Sequence, residues 1–437
     1  FALSAGLLAL RGVVKSRWAL LGAGFLALFW MLLPYRYFDS GIPLIAVLFV
    51  TRLLEKPSQK RHFVAGVLTG LATFFGFNHG FYLLASFLGS ILFNVWKGHV
   101  QEPWKKSALY LVGLFCGSLP YIGMCLFVPG FFESFMDCVL RLGESLFSGS
   151  TNASLPVPWP WTVSWIGLGR DLHLDRQGQI LEYFHRFSTG TAFILSIAFY
   201  FFSGSAIVLS KKEDQSGKAL WSASVFVGIC YLNHIFSRAD QFHLGEGFGP
   251  LILGVLSIRA AHPLFHKQLA WLLILVVSFV SIFSAGLQSN FVVKHFSPKR
   301  NFVYYSVGKD RILITKIEEM FMDGIKKMVT EFVPKDESIL IVPQMTTFYV
   351  ILEKESPIYD LYCLSPQTVE AQKKMIRDLN EKNVRWAVVM NQVAAGTPGL
   401  RLSTSHPVLW GYLTANFVPV ARLAQFPDYF LIRKKSL

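Results

Sequence analysis

Charge is what this 437-residue sequence has least of: Asp, Glu, Lys and Arg together make up 16% of it, against roughly 25% in a soluble domain. Acids are the scarcer sign, 27 against 41 Lys plus Arg, which leaves a formal net charge of +14. The five cysteines form no CxxC pair, and no zinc-ligand spacing occurs. There is no glycine-rich phosphate loop, so helicase, kinase and dinucleotide-binding readings are disfavoured. Internal repeats and a transporter-like pair of broken spans are also lacking.

What takes the place of charge is apolar length. Hydrophobic residues are 53% of the chain and aromatics 15%. They concentrate before residue 290 in runs of about 16–22 residues, enough to cross a ~30 Å hydrocarbon layer as helices. The expected spans are roughly 1–10, 18–34, 41–55, 63–77, 79–95, 107–128, 188–209, 219–236, 245–258 and 268–288. Phe1 to Leu10 is already apolar, with no basic leader or cleavage site ahead of it. The sequence is therefore expected to open inside or just after a membrane segment.

The basic excess follows from topology rather than from a nucleic-acid partner. Every second connector is basic: Arg11, Lys15 and Arg17; Arg52, Lys56, Lys60 and Arg61; Lys97, Lys105 and Lys106; Lys211, Lys212 and Lys218; Arg259 and Lys267. The intervening short connectors hold only Arg36 and Arg238, with no charge near Asn78. By the positive-inside rule the basic set is cytoplasmic, and the loop 129–187 and everything after 289 lie outside. The expectation is an α-helical polytopic membrane protein of about ten spans over residues 1–288, with an extracytoplasmic α/β domain over 289–437. Cys116, Cys125 and Cys230 fall in spans. Only Cys138 and Cys363 would meet an oxidising compartment, and burial as small hydrophobes is the reading preferred over a disulfide.

Within the long loop, Phe132, Phe135, Val139, Leu142 and Leu146 recur at helical spacing, predicting an amphipathic helix over 131–147 that lies in the membrane interface. Prolines in PVPWPW exclude a helix there, and Trp159, Trp161 and Trp165 suit the headgroup layer. Asn152-Ala153-Ser154 is a glycosylation sequon by pattern alone. After Gln288 charges become frequent. An amphipathic helix is expected over 312–332, strands over 338–342, 358–363, 384–390 and 429–433, and helices over 367–380 and 406–416. Strands alternating with helices indicate an α/β unit of a size that could fold alone.

Ionisable residues at membrane edges are costly and are functional candidates by default. The densest group is SRADQFHLGE, from Ser237 to Glu246. With a helix from Asp240, the residues Asp240, His243 and Gly247 share one face. Arg238 would bind a lipid phosphate through its planar fork of donors, while Asp240 or His243 handles a proton or a cation. The plainer alternative is an Arg238–Asp240 ion pair with His243 as a cap. Arg36 and Asp39 form a second external pair, three residues apart, otherwise an interfacial anchor; Asn78 and His79 sit in a tight external turn. Asp171, His173 and Asp175 alternate as metal ligands on a strand would, or as a solvated loop would.

A many-span body, short external turns with isolated acids and arginines, a long amphipathic external loop and an external α/β domain together resemble the GT-C class of membrane glycosyltransferases. Locally, FSRADQFHLGEGFGPLIL is similar to an Arg-x-Asp-x-x-His-Leu segment of uncharacterised bacterial members, which carries over Arg238, Asp240 and His243 alone. RHFVAGVLTGLATFFGFNHG is similar to a glycine-spaced span of the class, and ILIVP, VRWAVVM and HPVLWGYLTANF to its external domain. The resemblance implies a polyprenyl-phosphate-linked sugar as donor and a glycan, lipid or protein acceptor. It also implies a bacterial inner membrane with the C-terminal domain in the periplasm, and a role in the cell envelope. A divalent cation, Mg²⁺ or Mn²⁺, would assist the leaving phosphate. The class usually draws its general base from the first external loop, upstream of where this sequence is expected to open. Asp39, Asp240 and His243 are the candidate catalytic residues, and Arg238, Arg36, Asn78 and His79 the candidate substrate-binding ones. The rival reading is a transporter, an O-antigen ligase-like enzyme or an assembly scaffold.

Overall fold

The computed structural model describes residues 1–33, 37–148, 157–162, 176–209, 218–237, 239–261, 266–286, 302–364, 366–392 and 398–435. Two compact units emerge. One comprises residues 1–144 and 156–297, the other residues 145–155 and 298–437. The expected boundary at 288/289 lies outside the described residues.

The first unit is helical. Its helices are α1 (Ala2–Arg11), α2 (Arg17–Met31), α3 (Tyr37–Glu55), α4 (Gln59–Phe75), α5 (Phe77–Trp96), α6 (Pro103–Phe127), α7 (Phe131–Ser148), α8 (Arg176–Leu209), α9 (Lys218–Ser237), α10 (Gln241–Ala261) and α11 (Lys267–Val280). A π-helical turn, Ser281–Gly286, continues α11. Every expected span coincides with one of these helices. Six are long and apolar enough to cross a membrane: α5, α6, α8 from Ile180, α9, α10, and α11 with its π turn. The count of about ten is not reached on that measure. Helices α1 and α2 are apolar but only 10 and 15 residues long, and α3 and α4 carry charges such as Asp39, Arg52, Lys60 and Arg61. Phe81, Phe115, Phe201, Phe202 and Leu275 stand exposed on the outside of the bundle, a surface suited to lipid rather than water.

Packing within this unit depends on small residues. Gly66 and Gly70 of α4 face Gly113 and Gly117 of α6. A Cβ on Gly66 would overlap the Tyr110 carbonyl, and one on Gly113 would overlap the carbonyl of Phe63, so each helix's glycines seat the other's backbone. Two reciprocal GxxxG pairs are the means by which apolar helices approach closely where lipid offers no hydrophobic drive. Helix α10 is the most enclosed of the six. Its glycines 245, 249 and 254 admit Leu33, Leu44 and Phe199.

As expected, α7 is helical over 131–148. Phe131 and Phe135 lie against Tyr121 at ring-centroid distances of 5.4 and 5.3 Å, whereas Phe132, Met136, Val139 and Leu140 are exposed. Trp159 and Trp161 stack 5.3 Å apart. Trp165, the Asn152 sequon and the Asp171–His173–Asp175 segment lie outside the described residues. Cys363 is free and buried; of the Cys138 side chain nothing is described.

The second unit has a hairpin, β1 (Phe302–Val307) with β2 (Asp310–Thr315), and then α12 (Lys316–Phe332). A four-stranded sheet follows, formed by β3 (Ile339–Val342), β4 (Trp386–Met390), β5 (Phe417–Arg422) and β6 (Tyr429–Lys434) in the order β3-β4-β6-β5. Strands β3 and β4 are parallel and the other pairs antiparallel. Helix α13 (Thr347–Ile351) and α14 (Val369–Glu381) fall in the β3–β4 crossover, and α15 (Leu402–Ser405) and α16 (Pro407–Asn416) precede β5. Alternation along β3 and β4 sends Ile339, Ile341, Trp386 and Val388 into one core with α12, and Leu340, Val342, Ala387 and Val389 into another with α14 and α16. That two-sided burial makes this an α/β unit. Strand β3 is an edge, and the Ile341 amide donates to the buried Tyr349 hydroxyl of α13 at 2.9 Å, which covers a donor the sheet leaves open.

Two expectations here need correction, and strands β1 and β5 were not expected. Ile312–Thr315 is strand rather than helix: Gly308, at φ +59°, turns β1 into β2, and the helix starts at Lys316, where Thr315 and Glu318 form a capping box. Ile358–Cys363 is not a strand. Ile358 and Cys363 are buried and Tyr359, Leu361 and Tyr362 exposed, but the segment pairs with no strand, and the Cys363 amide donates to the Pro343 carbonyl instead. Strand β5 had no expectation, because Pro419 and an irregularity between Pro419 and Ala421 interrupt its pattern.

Candidate functional site

Four helices bring their polar ends together. Asp39 lies in the first turn of α3, where a carboxylate meets the positive end of the helix dipole. Helix α4 ends and α5 begins around Gly76, so Asn78 and His79 fall in the first turn of α5. Tyr231, Asn233 and His234 lie in the last turns of α9. Asp240 opens α10: its Oδ1 accepts from the amides of Phe242 and His243 at 3.0 and 2.9 Å, an N-cap by chemistry and position. The predicted face of Asp240, His243 and Gly247 exists, and it turns towards α9, since Gly247 packs on Ile235 and Tyr231.

The result is three carboxylate–imidazole pairs side by side. Deepest is Asp39–His79, with Oδ1 to Nε2 at 2.7 Å and side chains only 3% and 1% exposed. The other His79 nitrogen, Nδ1, lies 2.8 Å from the Tyr231 hydroxyl. Next is Glu246–His234, bonded through Oε2 and Nε2 and about one-tenth exposed. Asn78 Nδ2 donates to His234 Nδ1 at 3.4 Å. Outermost is Asp240–His243, Oδ1 to Nδ1 at 2.9 Å, with exposures of 19% and 24%. Ring centroids of His234 lie 5.4 Å from His243 and 6.1 Å from His79, with Tyr82 at 5.9 Å.

Hydrogen-bond logic assigns the tautomers. With Asn78 donating to Nδ1, His234 carries its proton on Nε2 and gives it to Glu246. With Tyr231 donating to Nδ1, His79 likewise gives Nε2–H to Asp39. Both buried carboxylates then accept a hydrogen bond from an imidazole N–H, as a buried polar group requires. His243 uses Nδ1 on Asp240, which leaves Nε2 as its remaining ring nitrogen.

Of the residues expected from sequence, Asp39, Asn78, His79, Asp240 and His243 belong to this one cluster. Arg36 and Arg238, the expected phosphate binders, lie outside the described residues. Tyr231, His234 and Glu246 were missed as site residues. A signal existed for two of them, since an ionisable residue inside an apolar span is unusual wherever it occurs. Among the described residues no three His, Cys, Asp or Glu side chains converge on one point, and each carboxylate of the cluster is already engaged by an imidazole. No family model matches this sequence, and no characterised protein matches it in sequence comparison.

Proposed function

We propose that this protein is a membrane glycosyltransferase. In this reading it crosses the bilayer about ten times, keeps its C-terminal unit in the extracytoplasmic compartment, and moves a sugar there from a polyprenyl-phosphate donor to a glycan, lipid or protein acceptor. The observation that carries the reading is the assembly of three acid–histidine pairs at one end of the helix bundle, the end that the alternation of basic connectors assigns to the outside. Glycosyl transfer needs a base for the acceptor hydroxyl and a cationic seat for the leaving phosphate. Asp240 orients His243 through Nδ1, so that Nε2 takes the hydroxyl proton as the acceptor oxygen attacks the sugar's anomeric carbon. The phosphate leaves with the bonding pair, towards Arg238 and Arg36. The two deeper pairs hold charge and geometry behind it.

The test is turnover by purified protein over a panel of radiolabelled polyprenyl-phosphate sugars. One donor should give transfer, and His243→Gln should slow it by about 10²- to 10⁴-fold, the usual loss on removing a general base. No transfer from any donor, or transfer undiminished in both His243→Gln and Asp240→Asn, overturns the reading. A second reading, proton-coupled transport, is favoured by one observation: Asp39, His79 and Tyr231 are bonded in series and almost sealed from solvent, a setting typical of proton relays. Proton uptake by proteoliposomes without a sugar donor would select it.

A further inference from the structure

Helices α1 and α2 do not close on one another along their whole length. The chain leaves α1 at Arg11, and Ser16 restarts it by accepting from the Ala19 amide. Between the two helices runs an open crevice of about 920 Å³. Its walls are leucines, of which Leu8 and Leu21 are half exposed. Its rim holds Arg11, Lys15 and Arg17, all exposed. Among the described residues none that lines the crevice is acidic, and no carboxylate pairs with these three cations.

We infer that this crevice is a binding site for an anionic phospholipid, with the phosphate headgroup among Arg11, Lys15 and Arg17 and an acyl chain along Leu8 and Leu21. Two features at the same place fix the class of ligand. Three cations without a counter-charge attract a phosphate. A soluble anion would gain nothing from the leucine wall beneath them, whereas a lipid carries its apolar chains down from its charge. The proposal is independent of glycosyl transfer: it concerns residues outside the acid–histidine cluster.

The experiment is native mass spectrometry of the whole protein in detergent micelles, titrated with phosphatidylglycerol or with phosphatidylcholine of the same chains. Phosphatidylglycerol should bind about tenfold more tightly, from the attraction of three basic side chains. The preference should shrink on raising ammonium acetate from 0.1 to 0.5 M, disappear in Arg11→Gln/Lys15→Gln/Arg17→Gln, and persist in Arg11→Lys/Arg17→Lys. The salt arm needs no substitution, so it stands if the neutralised variant fails to insert. Equal binding of the two lipids, or a preference unchanged by salt and by the neutral variant, overturns the inference. Displacement of phosphatidylglycerol by millimolar inorganic phosphate also overturns it, by showing a seat for a free anion.

Discussion

Replacing Asp39 with Ala should cost more stability than any other single truncation in the acid–histidine cluster. Asp39 and His79 are 3% and 1% exposed, and the carboxylate accepts from His79 Nε2 at 2.7 Å. Removing the carboxylate leaves an imidazole N–H facing a space closed to bulk water. Breaking a buried pair from one side costs about 3–5 kcal/mol. Asp39→Asn keeps an oxygen in place and loses only the charge assistance, about 1–2 kcal/mol. The double variant Asp39→Ala/His79→Phe removes both partners and should cost less than the sum of the singles by about 1–3 kcal/mol. The assay is reversible unfolding in mixed detergent–SDS micelles, read by circular dichroism. If Asp39→Ala lies within about 0.5 kcal/mol of the parent, or the cycle is additive to that margin, the two groups are solvated by water after all and the pair is not a unit.

Three further outcomes follow from other parts of the structure. Gly66→Val should separate α4 from α6 at a cost near 3 kcal/mol in the same unfolding assay, the upper end of overpacking costs because the opposing atoms are backbone and cannot rotate away. Gly22→Ala, with nothing within 4 Å of the new Cβ, should instead gain about 0.5–1 kcal/mol from helix propensity. In the C-terminal unit, burial lowers the pKa of His406 to about 4 from its ordinary 6.5, only partly offset by Asp360. An unfolded chain binds that proton first, so stability is complete above pH 6.5 and falls as the pH drops through this window to about 4. The loss approaches ~3 kcal/mol from a 2.5-unit difference. Denaturation of this unit in the whole protein at pH 7 and pH 4.5 should show the loss, and His406→Phe should remove most of it.

Where the physics is local, the sequence was readable. A span of apolar residues can do little but form a helix in lipid, and all ten expected spans fall on helices. The glycines of RHFVAGVLTG were visible as a spacing, though not their partners at Gly113 and Gly117, which only the packing of α4 on α6 reveals. The site was legible by its edges. Asp39, Asn78–His79 and Asp240–His243 begin helices, where polar residues stand out against apolar neighbours. His234 and Glu246 were hidden because each sits a turn further in, and nothing local says that α9 and α10 lay them against each other. In the C-terminal unit the errors have the same origin. IYDLYC has the alternation of a strand, but a strand exists only if another strand offers it a ladder, and β3 already pairs with β4 on its inner side while Tyr349 covers its outer one.

The order of the three pairs bears on how the cluster could work. Exposure rises from Asp39–His79, through His234–Glu246, to Asp240–His243, so the outermost of the three pairs is the one most open to solvent. Its carboxylate is also the N-cap of α10, and a base tethered to a helix start cannot swing away when its proton load changes. The inner pairs have no such access, yet each spends a buried charge. A fold that needed only stability would do as well with apolar residues of similar size there. Their place beside the outer pair, with the His234 ring 5.4 Å from that of His243, is better explained by the position they fix for the His243 imidazole. On this argument Glu246→Ala, which releases His234, should slow the proposed transfer more than Glu246→Gln, which keeps a hydrogen-bond acceptor in place. Turnover by the two purified variants would show the difference, and equal rates would confine the inner pairs to holding the helices together.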